Sequence, residues 1–206
     1  MRQAVFLDRD GVLNRTVTRA DGTCGSPRFA RDFALLPGAA EAVRALRRAG
    51  LLTVVVTNQP DVARARLAWT ELQQMHSLLR QLIPLDAILT CPHDDRDHCA
   101  CRKPLPGMLK RAGRGLDIAL DRSFLIGDSL KDIAAGRAAG CRTILVGEEV
   151  RRSAAAADWT TPNLPAAAAL LLHDLEPDRV QRLLADFDRD LALHARLPQT
   201  AGTVPA

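Results

Sequence analysis

Residues 6–14 read Phe6-Leu7-Asp8-Arg9-Asp10-Gly11-Val12-Leu13-Asn14, an apolar pair that runs directly into two aspartates and a glycine. The apolar run Ala4–Leu7 predicts a short buried strand, and an acidic pair follows at the point where the strand ends. An Asp-x-Asp-Gly sequence alone is as often a turn or a helix cap as a binding site. Whether Asp8 and Asp10 form a binding site therefore depends on which other polar residues the fold places beside them.

Apolar runs and helical patterns alternate along the chain after this stretch. Further strands are predicted at 51–56, 87–90, 123–126 and 143–146, and helices at 38–49, 70–82, 106–116 and 129–139. This alternation is typical of an α/β protein with a Rossmann-like, doubly wound, mainly parallel sheet and helices on both faces. The predicted elements fill the intervals between the motifs, so no separate cap domain is expected.

The prediction gives one domain at 1–175 and a C-terminal extension at 176–206. Residues 150–168 look like an irregular segment that returns to the sheet, and Pro177 breaks the chain after the Ala/Leu run at 166–172. An amphipathic helix at 178–196 and a loose tail are predicted to follow. This helix either covers the edge of the core or makes a dimer contact, so a monomer or a homodimer is expected.

Composition excludes several classes of function. The formal charge of +4 comes from scattered arginines, and there is no Tyr, so neither a basic stripe nor a stacking platform for nucleic acid is expected. No apolar run approaches the roughly 18 residues of a membrane-spanning helix. A strand begins within a few residues of Met1 and leaves no room for a signal peptide, so a cytoplasmic location is expected.

Polar motifs follow three of the predicted strands. Asp8-Arg9-Asp10-Gly11 follows the first, Thr57-Asn58-Gln59 the second, and Gly127-Asp128-Ser129 the strand at 123–126. The carboxyl ends of parallel strands lie at one edge of a sheet, and ligands bind in the crevice beyond them. The three motifs are therefore predicted to form one site, although each alone is a weak signal.

The carboxylates of this predicted site indicate a divalent cation. Asp8, Asp10 and Asp128 would lie close together, and two like charges about 4 Å apart repel by about 4 kcal/mol at an effective dielectric constant of about 20. A cluster of hard oxygen ligands with open positions suits Mg²⁺. One carboxylate then remains free as a nucleophile, Thr57 can bind phosphoryl oxygens, and Lys103 can balance their charge. The predicted chemistry is phosphoryl transfer.

Three of the five cysteines crowd into residues 91–101 beside histidine. Cys91, His93, Cys99 and Cys101 make a closed tetrahedral set for zinc, with His98 as an alternative to His93. Four protein ligands leave no position open for a substrate. We therefore expect a structural Zn²⁺ that stabilises this loop.

With these motifs the chain resembles the haloacid dehalogenase (HAD) superfamily over residues 3–147. The first motif is residues 6–14, the second Val56-Thr57-Asn58-Gln59, the third the lysine of Cys101-Arg102-Lys103-Pro104, and the fourth Ile126-Gly127-Asp128 with Asp132. The resemblance implies that Asp8 forms an aspartyl-phosphate, and that Asp10 protonates the leaving oxygen and then activates water. It also implies that Mg²⁺ is held by Asp8, the backbone carbonyl of Asp10, and Asp128. Asp132 would orient Lys103 or metal-bound waters.

The zinc-type loop that runs into Lys103 is similar to one HAD subgroup. This subgroup contains heptose 1,7-bisphosphate phosphatases and histidinol-phosphate phosphatases, so its resemblance implies a small phosphorylated metabolite as substrate. Pro106-Gly107-Met108 favours the heptose type. The expected substrate is a sugar bisphosphate, with histidinol phosphate or another small phosphomonoester as the alternative. A non-catalytic binding domain is a third interpretation, which the complete set of motif residues disfavours.

Three loops would set specificity in a site without a cap: 12–31, 60–68 and 91–102. Each holds an arginine that can bind a second phosphate or a carboxylate, namely Arg28, Arg64 and Arg102. Asn58, beside Thr57, is a further candidate for phosphate binding.

Overall fold

The structure, a computed structural model, describes residues 1–147 and 157–175. Its strands are β1 (Ala4–Leu7), β2 (Val17–Thr18), β3 (Cys24–Gly25), β4 (Leu52–Asn58), β5 (Ala87–Cys91), β6 (Phe124–Gly127), β7 (Arg142–Val146) and β8 (Trp159–Thr161). All except β2 and β3 form one parallel sheet in the order β5-β4-β1-β6-β7-β8. The order reverses between β1 and β6, as in doubly wound folds. The predicted fold class is confirmed.

Helices pack on both faces of this sheet. Within the described residues they are α1 (Ala39–Arg48), α2 (Trp69–Leu82), α3 (Gly107–Gly115), α4 (Leu130–Ala139) and α5 (Leu164–Asp174). Helices α1 and α5 cover one face, and α3 and α4 cover the other. Along β1, Val5 and Leu7 belong to the first core, whereas Ala4 and Phe6 belong to the second. Because both faces are buried, the strand appears in the sequence as a continuous apolar run.

Two segments differ from the prediction. Strand β4 continues to Asn58, because its pairing with β5 extends to the Asn58–Cys91 position. The segment predicted at 150–168 does return to the sheet, but its second half is not irregular: β8 pairs with β7, and the side chain of Asn163 caps α5. A three-residue edge strand and a proline at the helix start give little periodic signal, which explains the error.

The long connection from β1 to α1 carries the antiparallel hairpin β2–β3 and a one-turn 3-10 helix at Ala30–Asp32. Throughout 1–147 and 157–175, no separate cap domain is built on the sheet. The predicted extension at 176–206, with its helix at 178–196, lies outside the described residues. Among the helices that are described, none is long and apolar enough to cross a bilayer.

Candidate active site

The predicted motifs lie together at the edge where the strand order reverses. Asp8 follows β1, Thr57 and Asn58 end β4, and Asp128 follows β6. The backbone N–H of Asp8 donates to the carbonyl oxygen of Ile126 at 3.0 Å, which ties the first motif to the fourth. The sheet therefore places the three motifs in one crevice.

Lys103 enters this crevice from the loop that precedes α3. Its Nζ donates to Oδ1 of Asp8 at 2.7 Å and to the carbonyl oxygen of Val56 at 2.9 Å, and it lies 2.5 Å from Oδ1 of Asp132. Burial alone would lower the pKa of Lys103, but the charges of Asp132 and Asp8 raise it above its usual range. The lysine is therefore held as a cation beside Asp8.

Asp132 lies in the first turn of α4 and is 1% exposed. Its Oδ2 accepts hydrogen bonds from the backbone N–H of Ser129 at 3.1 Å and from its hydroxyl at 2.6 Å. Its Oδ1 faces Lys103. Both oxygens are thus engaged by protein groups, so Asp132 is well placed to orient Lys103 and poorly placed to bind a metal.

Three carboxylates, those of Asp8, Asp128 and Asp132, each have an oxygen within 4.8 Å of the others. Burial raises the pKa of Asp8 to about 8, which Lys103 opposes and Asp132 and Asp128 reinforce. Burial and the charge of Asp132 likewise raise the pKa of Asp128 to about 7. Such a cluster fits a divalent cation, because a positive ion removes the repulsion that disfavours the ionised forms.

Gly11 makes room for this cluster. Its φ of +84° lies in the left-handed region, and a Cβ at this position would collide with the carboxylate of Asp128. Only glycine meets both conditions without strain. The glycine of the Asp-x-Asp-Gly sequence is therefore required by the close approach of the first and fourth motifs.

Asp10 does not belong to this carboxylate cluster. One guanidinium nitrogen of Arg9 lies 3.0 Å from both carboxylate oxygens of Asp10. Asn14, Ser26 and Gln59 donate further hydrogen bonds at 2.9, 2.9 and 2.7 Å. Burial would raise the pKa of Asp10, but Arg9 and these donors hold it below its usual range. Asp10 is therefore an ionised carboxylate with both oxygens occupied.

The side chains of the second motif, residues 56–59, mainly hold other residues of the site in place. The hydroxyl oxygen of Thr57 accepts a hydrogen bond from Nε2 of Gln59 at 3.0 Å, and the same nitrogen donates to Asp10. The side-chain amide of Asn58 makes both of its hydrogen bonds to the backbone of Lys103. The side chain of Asn58, predicted to bind phosphate, is thus used to hold the lysine loop.

The four predicted zinc ligands form a compact group. The Sγ atoms of Cys91, Cys99 and Cys101 and Nδ1 of His93 all lie within 4.8 Å of one another, with neighbouring pairs 3.3–3.6 Å apart. Tetrahedral zinc with its usual bond lengths gives ligand separations of about 3.5–3.8 Å. The group therefore fits zinc. Among the described residues, His98 is not part of it.

A cleft of about 450 Å³ opens beside Gln59 and Ser26. The side chains on its walls include four arginines, Arg19, Arg28, Arg64 and Arg66. Asp61 lies between three of them: it accepts from Arg28 at 2.7 Å and lies within 4 Å of Arg19 and Arg64. The cleft is therefore cationic overall and adjoins the residues that hold Asp10.

The three predicted arginines differ in position. Arg28 and Arg64 line the cleft, and Arg64 also makes a bidentate ion pair with Asp94 of the cysteine loop at 2.6 and 2.8 Å. Arg102 donates to Asp95 at 2.7 Å and to the carbonyl oxygen of His93 at 3.3 Å. Within the described part of the chain, Arg102 is not among the residues that line the cleft.

Three further residues belong to this site: Arg9 and Gln59, for which the motifs predicted no role of their own, and His76, which no motif contains. Arg9 is fully buried, and its Nη1 lies 3.3 Å from Nε2 of His76 on α2. Gln59 is fully buried as well and bridges Asp10 to Thr57. A usable signal existed for His76, because it lies on the apolar face of α2 with Leu72, Met75 and Leu79.

The fold and the site define a class of enzyme, and the comparisons with known proteins agree. A family model of haloacid dehalogenase-like hydrolases matches residues 20–137, and a second HAD-hydrolase-like model matches residues 100–176. The chain belongs to the haloacid dehalogenase-like hydrolases and is a phosphatase.

Several relatives of the chain are phosphatases of one named kind. A D-glycero-β-D-manno-heptose-1,7-bisphosphate 7-phosphatase of Bordetella bronchiseptica is 37% identical over 147 residues, which cover 69% of this chain and 79% of the relative. The enzyme of the same name from Pseudomonas aeruginosa is 36% identical over 150 residues, covering 70% and 81%. The crystal structure of D,D-heptose 1,7-bisphosphate phosphatase from B. bronchiseptica, complexed with magnesium and phosphate, matches with a TM-score of 0.71 and 34% identity over 84% of this chain and 99% of that one.

Proposed function

We propose that this chain is a Mg²⁺-dependent phosphatase that removes the 7-phosphate of D-glycero-β-D-manno-heptose 1,7-bisphosphate through an aspartyl-phosphate on Asp8. One observation carries the proposal: Asp8 lies between a buried lysine cation and a carboxylate cluster, at the edge where a doubly wound sheet binds ligands. The substrate is supported by relatives that bear this name and are 34–37% identical to the chain.

The cation would be held by Asp8 and Asp128, together with the backbone carbonyl of Asp10. Asp132 is excluded from this set because its oxygens are bound to Ser129 and face Lys103. When bound, Mg²⁺ supplies charge that neutralises the cluster and orients the phosphoryl group. Lys103 adds a fixed positive charge next to Asp8, where it would help to balance the charge of the phosphoryl oxygens.

The reaction proceeds in two steps on the chain's own residues. A carboxylate oxygen of Asp8 attacks phosphorus, the bond from phosphorus to the sugar oxygen breaks, and Asp10, which first takes up a proton from solvent, gives that proton to the leaving oxygen. Water then attacks the phosphorus of the aspartyl-phosphate, and Asp10 takes the proton of the water while Asp8 is released. Asp10 thus starts the second step as a carboxylate, the form that Arg9 and Gln59 stabilise.

The cationic cleft would bind the phosphate that does not react. Arg28 and Arg64 are partly exposed on its walls, and planar guanidinium groups bind phosphate through paired hydrogen bonds. Zn²⁺ in the cysteine loop would be structural, because its four protein ligands complete a tetrahedron. Arg64 and Arg102 are both tied to acidic residues of that loop, so zinc would also fix their positions.

A regioselective assay tests the proposal. The purified chain is incubated with D-glycero-β-D-manno-heptose 1,7-bisphosphate and Mg²⁺, and the remaining sugar monophosphate is identified by phosphorus NMR. We expect the 1-phosphate to remain, with kcat/KM at least tenfold above that for the α anomer, sugar monophosphates and histidinol phosphate. A chain that prefers histidinol phosphate, or that releases the 1-phosphate first, would contradict the substrate. A chain that is inactive on every phosphomonoester would contradict the reaction as well.

A further inference from the structure

Arg9 is the largest fully buried side chain among the described residues. A buried guanidinium is costly unless its charge is paired and its N–H groups are bonded. Here Nη2 contacts both oxygens of Asp10 at 3.0 Å, Nε lies 3.3 Å from Oδ1, and Nη1 lies 3.3 Å from Nε2 of His76. An apolar side chain of similar volume can often replace a buried ion pair without loss of stability. Stability alone therefore does not account for an arginine at this position.

His76 fixes the orientation of the guanidinium. An arginine has only N–H donors, so Nε2 of His76 has to offer its lone pair, and the ring proton is on Nδ1. Burial and the charges of Arg9 and Arg80 lower the pKa of His76 to about 4, against the opposing charge of Asp10. The imidazole is therefore neutral at physiological pH and remains an acceptor for Arg9.

The contacts of Asp10 indicate which of the two reaction steps Arg9 assists. An ionised carboxylate can take a proton from water, whereas Asp10 has to gain a proton before it can donate one. Arg9 alone contacts both oxygens, and Asn14, Ser26 and Gln59 contribute one bond each. These contacts favour the ionised form of Asp10, which is the form that takes a proton from water, and Arg9 makes the largest share of them.

We propose that Arg9 and His76 are positioning residues for the second half of the reaction: His76 orients Arg9, and Arg9 holds Asp10 as the base that activates water against the aspartyl-phosphate. The inference rests on the proposed function, because it needs Asp8 as nucleophile and Asp10 as proton carrier. It adds Arg9 and His76, which lie 67 positions apart in the sequence, to the residues that serve the reaction.

Hydrolysis of p-nitrophenyl phosphate separates the two steps. p-Nitrophenolate leaves without a proton, so the first step does not need Asp10, whereas release of phosphate from Asp8 does. If Arg9 and His76 serve the second step, His76→Leu should lower kcat by roughly tenfold and Arg9→Met by roughly 10²-fold, and KM should fall with kcat. The ratio kcat/KM should stay within about threefold of the wild type, and stopped-flow traces should show a burst of p-nitrophenolate approaching one per active site.

Two further variants make the test specific. His76→Gln keeps an acceptor for Arg9 and should recover most of the kcat that His76→Leu loses. Met75→Ala removes a buried neighbour on α2 that belongs to a separate cluster with Leu67 and Leu72. It should lower the melting temperature while leaving kcat, KM and the absence of a burst as in the wild type.

A structural readout accompanies the kinetics. In ¹⁵N-labelled protein at neutral pH, the ring of His76 should carry its proton on Nδ1 and show an unprotonated Nε2. Equal losses in kcat and kcat/KM, no change in any variant, failure of His76→Gln to exceed His76→Leu, or a protonated Nε2 would each overturn the inference. A wild-type chain that hydrolyses no phosphomonoester, or an Asp8→Asn variant that hydrolyses p-nitrophenyl phosphate, would instead overturn the proposed function and this inference with it.

Discussion

Asn58 and Lys103 hold each other through two reciprocal hydrogen bonds. The side-chain Nδ2 of Asn58 donates to the carbonyl oxygen of Lys103 at 3.0 Å, and the backbone N–H of Lys103 donates to Oδ1 of Asn58 at 3.1 Å. This pairing fixes the lysine loop to the end of β4. Lys103 can therefore place Nζ on Asp8 although its backbone lies in a connection without regular structure.

Removing this pairing should move the lysine. Asn58→Ala leaves two backbone groups of Lys103 without partners and should cost about 1–3 kcal/mol of stability. We expect kcat/KM to fall by roughly tenfold or more, because small displacements of a charged group weaken its stabilisation of the phosphoryl group. Asn163→Ala is the control: it removes the cap of α5, far from the lysine loop, and should cost about 1 kcal/mol with unchanged kcat/KM. Equal kinetics in the two variants would contradict this role of Asn58.

The nucleophile and the proton carrier should differ in the size of their effects. Asp8→Asn removes the attacking oxygen and should lower kcat by roughly 10⁴-fold or more, whereas Asp10→Asn should lower it by roughly 10²–10⁴-fold. Steady-state rates on the best substrate, with circular dichroism spectra of each variant, provide the measurement. Trapping of phosphate on the chain should be possible in the Asp10 variant and impossible in the Asp8 variant. Phosphorylated Asp8→Asn protein would exclude Asp8 as the nucleophile.

Magnesium binding should strengthen as pH rises. In the metal-free chain the pKa of Asp8 is raised from 3.8 to about 8 and that of Asp128 to about 7, chiefly by burial. The folded state then retains protons that the unfolded chain has released, so the stability that these two protonated carboxyls contribute to the metal-free protein is lost as pH rises from about 4 to about 8. Mg²⁺ needs the ionised carboxylates and has to displace these protons.

Thermal melts with and without Mg²⁺ measure this linkage. The increase in melting temperature on adding Mg²⁺ should grow between about pH 6 and about pH 8.5, and EDTA should abolish both the increase and the activity. Asp128→Asn provides the matched comparison, because it removes one raised pKa and one ligand and should flatten the pH dependence. A Mg²⁺-induced shift that is constant over this range would show that Asp8 and Asp128 are already ionised without metal.

The strand-end motifs could be predicted from sequence because each follows a continuous apolar run. A buried parallel strand leaves few alternatives for the residue that follows it, so Asp8, Thr57 and Asp128 could be assigned to one edge. The cysteine loop was equally clear, since ligand type and spacing alone define a tetrahedral set. These signals are local in the sequence, and the parallel order of the strands is enough to bring the strand-end motifs to one edge of the sheet.

Contacts between loops could not be predicted in the same way. The loop residue Arg9 reaches His76 of α2 across 67 residues, and Arg64 pairs with Asp94 across 30, and no periodicity specifies the conformations of the loops that make these contacts. The prediction that Arg102 binds substrate assumed that a basic residue beside Lys103 faces the same way. Adjacent residues in a loop can face opposite directions, and in the structure Arg102 pairs with Asp95 of the cysteine loop.

The cysteine loop should matter more for activity than for stability. Cys101 immediately precedes Arg102 and Lys103, and a Cβ at Gly107 would collide with the backbone of Ala100, so the loop packs directly on the start of α3. Structural zinc binds with roughly 10–16 kcal/mol of apparent free energy in small peptides. The sheet has its own two cores, however, and only Cys91 of the four ligands is fully buried. Loss of zinc should therefore disorder the loop without unfolding the chain.

Cys101→Ser tests this coupling. The wild type should carry one zinc ion per chain by elemental analysis, and the variant should carry much less. Because the loop then no longer fixes Lys103 against Asp8, kcat/KM should fall by roughly 10²-fold while the far-ultraviolet circular dichroism remains that of a folded α/β protein. Cys141→Ala is the control: this buried cysteine belongs to the second core, outside the four-ligand group, and its loss should lower the melting temperature with zinc content and kcat/KM retained. A Cys101→Ser protein with full activity would separate the loop from catalysis, and one that unfolds completely would mean that the zinc loop is part of the folding core.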